Sequence, residues 1–390
     1  MTKWQEVRLG DICIQITDGT HNTVKDCESG DCYLLSCKNI KNGNIEIGKN
    51  ERKIDRHTLE ELRKRTKTAK GDVLLSSVGT IGETAVIKLE NPNYEFQRSV
   101  AIFKPNLNFI TSEFLYYSLN SRKNILQHSA EGAVQQCLFI TPLKDFPISL
   151  PPINVQKKIA GVLGALDDKI ELNNRINNNL EQQMYALVEQ DILNIETKIF
   201  LDEFCNVFTG RKNANEFEKN GVNKFFTCGP DALTINSFIY DGSAIIVSGN
   251  GAYTGRTRFY KGKFDLYQRT YACTIKENIK SDYIYILYPI LKLQLEKKLM
   301  GGTHGSAIPY IVMNDIAKFQ VPFNEPVFNK IAPICKAIID KIQANEAENE
   351  KLSQLRDTLL PKLMSGEVDV SKVDISALTS TDKLSFNEGE

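Results

Sequence analysis

The sequence predicts an α+β fold. Two β-rich globular units alternate with two long helices that pair as an antiparallel coiled coil, and the chain carries an internal pseudo-two-fold repeat. Three observations predict it. Blocks of sequence recur at a near-constant offset. Two apolar stripes at helical spacing each run for about forty residues. The segments between them are rich in Ile, Val, Phe, Tyr and Thr, with frequent glycine turns.

The repeat is the first thing to establish, because a missed repeat misassigns the whole fold. Gly71-Asp72-Val73-Leu74-Leu75-Ser76-Ser77 aligns with Gly242-Ser243-Ala244-Ile245-Ile246-Val247-Ser248 at an offset of 171. Gln97-Arg98-Ser99-Val100-Ala101 aligns with Gln268-Arg269-Thr270-Tyr271-Ala272 at the same offset. Leu166, Ile170, Asn173, Asn177 and Leu180 align with Ile338, Ile342, Asn345, Asn349 and Leu352 at 172. Nearer the amino terminus the offset is 191: Gly19 matches Gly210, and Ser36-Cys37 matches Thr227-Cys228. The first copy therefore carries about 20 extra residues, placed between Asn42 and Thr68. Periodicity shared by unrelated strands and helices does not account for five separated blocks in one order.

The helices are bounded by clear signals. Pro151-Pro152 blocks helix upstream, and Asn154 is available as a cap. Ile159, Leu163, Leu166, Ile170, Asn173, Asn177, Leu180, Met184 and Leu187 then recur at spacings of 3 and 4. That is a coiled-coil seam over a helix from Asn154 to Ile192. The second helix starts near Pro326 and stops by Gly366. Its seam is Ile338, Ile342, Asn345, Asn349, Leu352, Leu355 or Arg356, Leu359 and Leu363. Asn173, Asn177, Asn345 and Asn349 are the expected register-setting residues, since a core asparagine lowers stability but fixes pairing. A locally exposed stretch of seam is the alternative for them.

In the globular units, Asp72–Ser77 and Ala244–Ser248 read as buried strands, each closed by a glycine loop at Gly79–Gly82 and Gly249–Gly255. Short helices are expected at Thr58–Lys67, Ser112–Ser121 and Ser281–Leu299. The loop after Val247-Ser248 misses the dinucleotide fingerprint by one residue. Beyond that loop, Arg256-Thr257-Arg258-Phe259-Tyr260 alternates like a strand, so no helix amino terminus is offered to a pyrophosphate. Asn91-Pro92-Asn93-Tyr94 reads as a turn.

In all, 390 residues predict two to four domains at roughly 100–200 residues each. The divisions are 1–152, 153–196, 197–325 and 326–368, with a disordered tail over 369–390. Nine scattered cysteines without a CxxC pair read as reduced thiols, hence a cytoplasmic protein with no metal site. No apolar run is long enough for a membrane span, and the start lacks the apolar core of a signal peptide. Four scattered histidines and no known nucleophile motif point away from an enzyme.

Formal net charge is zero. That argues against bulk-charge coating of nucleic acid but not against a local basic face. Lys49–Lys70 holds nine Lys/Arg against four acids, and Ala252–Lys276 six against one, the latter interleaved with Tyr253, Tyr260, Tyr267 and Tyr271. Such segments neutralise phosphates and read base edges, or else form solvated charged faces.

These features together resemble a known family, the specificity subunits of type I restriction–modification systems. The resemblance rests on Lys70-Gly71-Asp72-Val73-Leu74-Leu75-Ser76 with Gly79 and Gly82. It rests also on Ile148-Ser149-Leu150-Pro151-Pro152-Ile153-Asn154-Val155-Gln156-Lys157-Lys158-Ile159 with Leu163, Leu166 and Asp167, and on Leu359-Leu360-Pro361-Lys362-Leu363-Met364-Ser365-Gly366-Glu367-Val368. It covers the chain to about Val370. It implies that each globular unit is a target recognition domain reading one half of a split double-stranded DNA sequence. It implies that the paired helices set the gap and dock two methyltransferase subunits, with motor-nuclease restriction subunits joining. The subunit would catalyse nothing. S-adenosylmethionine, ATP and magnesium would belong to its partners, and the product would be N6-methyladenine.

The expected DNA-binding residues are Arg65, Lys67, Thr80 and Arg98 in the first unit and Arg211, Tyr253, Arg256, Arg258 and Arg269 in the second. One departure is Phe328, which stands where the first copy has Gln156; it either weakens docking on that side or has no effect. The rivals are a specificity subunit whose partner fuses methylase and nuclease, a non-catalytic coiled-coil adaptor, and an enzyme with a nucleotide site at Gly249–Gly255.

Overall fold

The computed structural model describes residues 4–130, 136–304 and 308–370; of the tail expected to be disordered over 369–390, Ser371 onward lies outside them, while Val370 is buried in the first unit's core. The chain divides into two compact units, residues 1–171 with 349–390 and residues 172–348. Each long helix is thus shared between the units.

In the first unit a four-stranded sheet runs in the order Cys13–Asp18, Val100–Pro105, Val73–Ser76, Thr84–Val86. All three pairings are antiparallel. A smaller sheet places Cys32–Leu35 between Lys53–Ile54 and Tyr94–Phe96, the last pairing parallel. Strand Gln5–Arg8 pairs with Pro147–Leu150 beside them. The segment from 42 to 68 supplies strand Lys53–Ile54 and helix Arg56–Thr66, which Asp55 caps by accepting from the Thr58 amide.

In the second unit one six-stranded sheet runs Cys205–Thr209, Thr270–Ile275, Tyr240–Ser248, Thr257–Leu266, Asn223–Phe226, Leu233–Ile235. Here a single ten-residue strand, Thr257–Leu266, does what Thr84–Val86 and Tyr94–Phe96 do separately in the first unit. The local sequences explain the difference. Gly242 and Gly262 face each other across the ladder with φ of +144° and +135°, so glycine bends that hairpin without breaking it. In the first unit the Asn91-Pro92-Asn93 turn interrupts the strand instead, as proline must within a ladder.

The first long helix spans Ile153–Asp191 and the second Glu325–Met364. Asn154 does not cap the first. It lies inside the opening turn, and the Pro152 carbonyl accepts the Val155 and Gln156 amides. Asn324 caps the second, its Oδ1 accepting from the Val327 amide at 3.1 Å. Gly366, at φ +75°, ends that helix.

Each unit has its own core. Leu9, Val73, Leu75, Phe103, Phe114 and Ile148 pack with Ile159 and Leu163 of the first helix and Leu363 of the second. Leu201, Phe204, Ile245, Val247 and Ile286 pack with Met184, Val188, Phe328, Ile331 and Ile339. Two seam positions differ from the sequence reading: Val188 and Ile339 are fully buried where Leu187 and Ile338 were expected. Once a helix leaves its helical partner for a globular core, burial follows the 3.6-residue turn and not the 3.5-residue heptad. Arg356, and not the exposed Leu355, occupies the ambiguous seam position.

Asn173 and Asn345 are buried, so this stretch of seam is not exposed. Asn345 Nδ2 donates to Asn177 Oδ1 at 2.7 Å, and Asn173 Nδ2 donates to Glu348 Oε2 at 2.8 Å. Asn349 is half-buried.

Candidate functional site

One rim of each sheet gathers most of the expected residues. In the second unit the rim is built from five loops. Loop 248–256 is the turn between two sheet strands, with Gly251 and Gly255 at positive φ. Loop 308–311 braces it: the Ile311 amide donates to Gly249 O at 2.9 Å and the Gly251 amide to Pro309 O at 3.1 Å. Loop 267–270 lies beside loop 210–213, where the Gln268 amide donates to Lys212 O. Loop 227–230 touches the same turn through Cys228, whose Sγ donates to Arg269 O at 3.2 Å.

The first unit builds its rim from the corresponding pieces. Turn 76–84 is braced where the Leu138 amide donates to Ser77 O at 2.8 Å. The Arg98 amide donates to Thr20 O, joining loop 97–99 to loop 19–21. The Cys37 amide donates to Ser99 Oγ at 3.1 Å. Gly19 and Gly210 are needed for one reason at both rims. A Cβ on Gly19 would lie 2.1 Å from Phe96 O, and one on Gly210 would lie 1.8 Å from Leu266 O.

Thr80, Arg98, Arg211, Tyr253, Arg256 and Arg269 all lie on these loops. Thr80, Arg98, Arg211 and Arg269 are exposed. Arg256 sits over the Tyr253 ring at 5.5 Å and donates to Pro230 O, and Arg269 lies over Tyr310 at 5.9 Å. These stacks hold cations at the surface with the guanidinium planes supported, a geometry suited to phosphates and base edges.

Three expected residues are placed otherwise. Arg65 reaches from the end of its helix to the Thr17 hydroxyl and the Asp18 and Gly19 carbonyls, pinning the start of loop 19–21. Lys67 ends that helix at φ +50°, and its carbonyl accepts Lys104 Nζ, away from the rim. Arg258 donates to Pro230 O, Thr227 O, Gly229 O and Ser248 Oγ, with its plane over Phe226. Burial pulls its pKa below the ordinary arginine value, and Arg256 nearby adds to the effect.

The two basic segments also differ. Six of the nine cations of Lys49–Lys70 are ion-paired within the unit, among them Arg52 with Asp26, Arg56 with Asp31 and Arg63 with buried Glu95. None of the six in Ala252–Lys276 pairs with a carboxylate among the described residues.

Sequence reasoning singled out cations and missed Thr20, Cys37, Lys212, Cys228, His304 and Tyr310, which line or brace the rims. The signal was present. Gly19/Gly210, Cys37/Cys228 and Gln97-Arg98/Gln268-Arg269 recur in both copies, and those blocks are what meets at the rim.

Gln156 is fully buried. Its Oε1 accepts the Thr111 amide, and its Nε2 donates to Phe109 O and Pro151 O. Phe328 is equally buried, among Phe204, Tyr283 and Phe323. Neither side chain is on a surface, so neither offers a docking partner a direct contact. Among the described residues there is no group of three metal-capable side chains, and no helix is long and apolar enough to cross a membrane.

The chain is 25% identical over 418 aligned residues to the type I restriction enzyme MjaIX specificity subunit of Methanocaldococcus jannaschii, covering 95% of this chain and 94% of that protein. It is 32% identical over 173 residues to the type I restriction enzyme EcoDI specificity subunit of Escherichia coli, covering 43% of this chain and 37% of that protein. A crystal structure of a type I restriction–modification system S subunit from M. genitalium shares its fold, with a TM-score of 0.57 and 18% identity over 92% of this chain and 96% of that one. Residues 1–182 and 195–354 of this chain each match one family model, and the chain accordingly belongs to the type I restriction modification DNA specificity domain family.

Proposed function

We propose that this chain is the DNA sequence-specificity subunit of a type I restriction–modification complex. Each globular unit reads one half of a bipartite double-stranded target through its rim, with Thr80 and Arg98 in the first and Arg211, Tyr253, Arg256 and Arg269 in the second. Arg65 and Arg258 hold the reading loops in place. The observation that carries this reading is the duplicated rim, which places an arginine-bearing loop beside a glycine turn in both units. Two similar but non-identical readers recognise two different half-sites.

The long helices act as an antiparallel spacer with a pseudo-two-fold axis near the asparagines. Their cross-helix bonds support this order. From Asp167 to Asn177 on the first helix, the partner falls from Arg356 to Asn345 on the second. The domain divisions follow the helix ends, with recognition domains at 1–152 and 197–325. Two methyltransferase subunits dock on the helices and restriction subunits join them, in the cytoplasm. The subunit is not an enzyme and holds no cofactor; S-adenosylmethionine, ATP and magnesium bind its partners.

Selection of random duplexes by the chain assembled with its methyltransferase partner tests this. The expected product is two short specified blocks around a fixed unspecified gap. A single contiguous block, or no enrichment, would contradict it.

A further inference from the structure

The second unit has an open cleft of about 740 Å³ apart from its rim. Glu189 and Leu193, at and just beyond the carboxyl end of the first long helix, form one wall. Lys198, Lys297, Lys298 and Lys318 line it, with Glu189 the one acid among the lining residues. Four cations against one carboxylate is a strong local excess in a chain of zero net charge.

Of the four lysines, one is spent on an internal pair and three are not. Lys318 bonds Asp202 at 2.6 Å. Lys198, Lys297 and Lys298 are exposed and have no carboxylate partner among the described residues. Aromatic faces support two of the ammonium groups: Lys298 lies 5.8 Å from the Phe319 ring centre and Lys318 5.3 Å from that of Phe200.

The cleft also adjoins the rim. Leu299, the residue after Lys298, lies against Gly255 of the glycine turn, where an added Cβ would come within 2.9 Å of it. The residue beside cleft Lys298 thus touches the turn that carries Arg256.

We propose that this cleft is a phosphate track for the duplex flanking the second unit's half-site. It would carry backbone phosphates and read no bases, since lysine acts as a point charge. The proposal rests on the DNA-recognition reading above. A polyanion satisfies several ammonium groups at once and releases condensed counterions, which favours the duplex over a single small anion.

The test uses the full chain assembled with its methyltransferase partner. Binding is titrated across a salt series against two duplexes, one ending at the second half-site and one extending about ten base pairs, roughly a helical turn, beyond it. The unaltered complex should bind the longer duplex more tightly. The triple variant Lys198→Glu, Lys297→Glu, Lys298→Glu should lose that preference while selecting the same sequence. Its log–log salt slope should fall by about 2–3, as expected for three lost phosphate contacts.

Equal affinity of the unaltered complex for both duplexes would overturn the track, and needs no variant to fold. A variant that binds DNA normally would overturn it too. So would one that no longer assembles with the methyltransferase, because the cleft would then take an acidic protein segment. An unaltered complex with no sequence preference at all would overturn the recognition reading and the track together.

Discussion

Arg258 and Arg269 lie eleven residues apart in one basic segment, yet only Arg269 projects its charge outward. Arg258 spends its donors on the 227–230 loop and on Ser248. Arg258→Ala should therefore cost about 2–3 kcal/mol of folding stability, because it orphans buried carbonyls and empties the space over Phe226. Arg269→Ala should stay within about 0.5 kcal/mol of the parent and lose DNA affinity instead. Thermal melts beside DNA titrations separate the two. Gln156 offers a parallel case inside the first unit. Gln156→Leu conserves most of the volume but leaves the Thr111 amide and two carbonyls without partners. It should cost about 1–3 kcal/mol per orphaned group, measurable by denaturant unfolding. At this scale the sequence was only partly legible. Residue type and local charge identify cations, but which of them reach the surface depends on loops brought together from far along the chain. Arg65 and Arg258 look like Arg98 and Arg269 in a sequence. The repeat carried the better signal, since a glycine and a cysteine recurring beside an arginine report a shared three-dimensional rim.

At the scale of elements, the long helices were legible almost to the residue because proline, glycine and a sustained apolar period mark them independently. The exceptions were the seam ends, where Val188 and Ile339 displaced Leu187 and Ile338. The period of burial there is set by a sheet and a helix of the globular core, which no local pattern reveals. The strands were legible as apolar runs, but the fusion of two sheets into one was not. That depends on Gly242 meeting Gly262 across twenty residues of chain. The asparagine pair makes a sharp prediction. Asn177→Leu alone leaves the Asn345 amide buried without its partner and should lower stability by about 1–3 kcal/mol. Asn177→Leu combined with Asn345→Leu removes both polar groups and should recover or exceed parental stability while loosening the register. Denaturant midpoints of the three proteins check this.

At the scale of the whole molecule, the proposed function makes the long helices a spacer between two readers, so their length should be a dial on the target. Inserting one heptad into each long helix at matched positions adds about 10 Å of helix at 1.5 Å per residue. That should widen the unspecified gap by about three base pairs at 3.4 Å each, with both specified blocks unchanged. Sequencing the selected duplexes reads it directly. Zero net charge belongs to this scale as well. The isolated chain should bind its target only weakly at physiological salt, and tight binding should appear when partner subunits close around the duplex. A filter-binding titration with and without the methyltransferase checks this; tight binding by the chain alone would count against it. In the proposed function, two rims on one chain specify two halves of one methylation target. The measurement that tests it most directly is a genome-wide map of N6-methyladenine in the source cell, with and without this gene. The expected result is the loss of one split motif, two short blocks at a fixed separation, and no other change. An unchanged map, with the partner methyltransferase expressed, would contradict it.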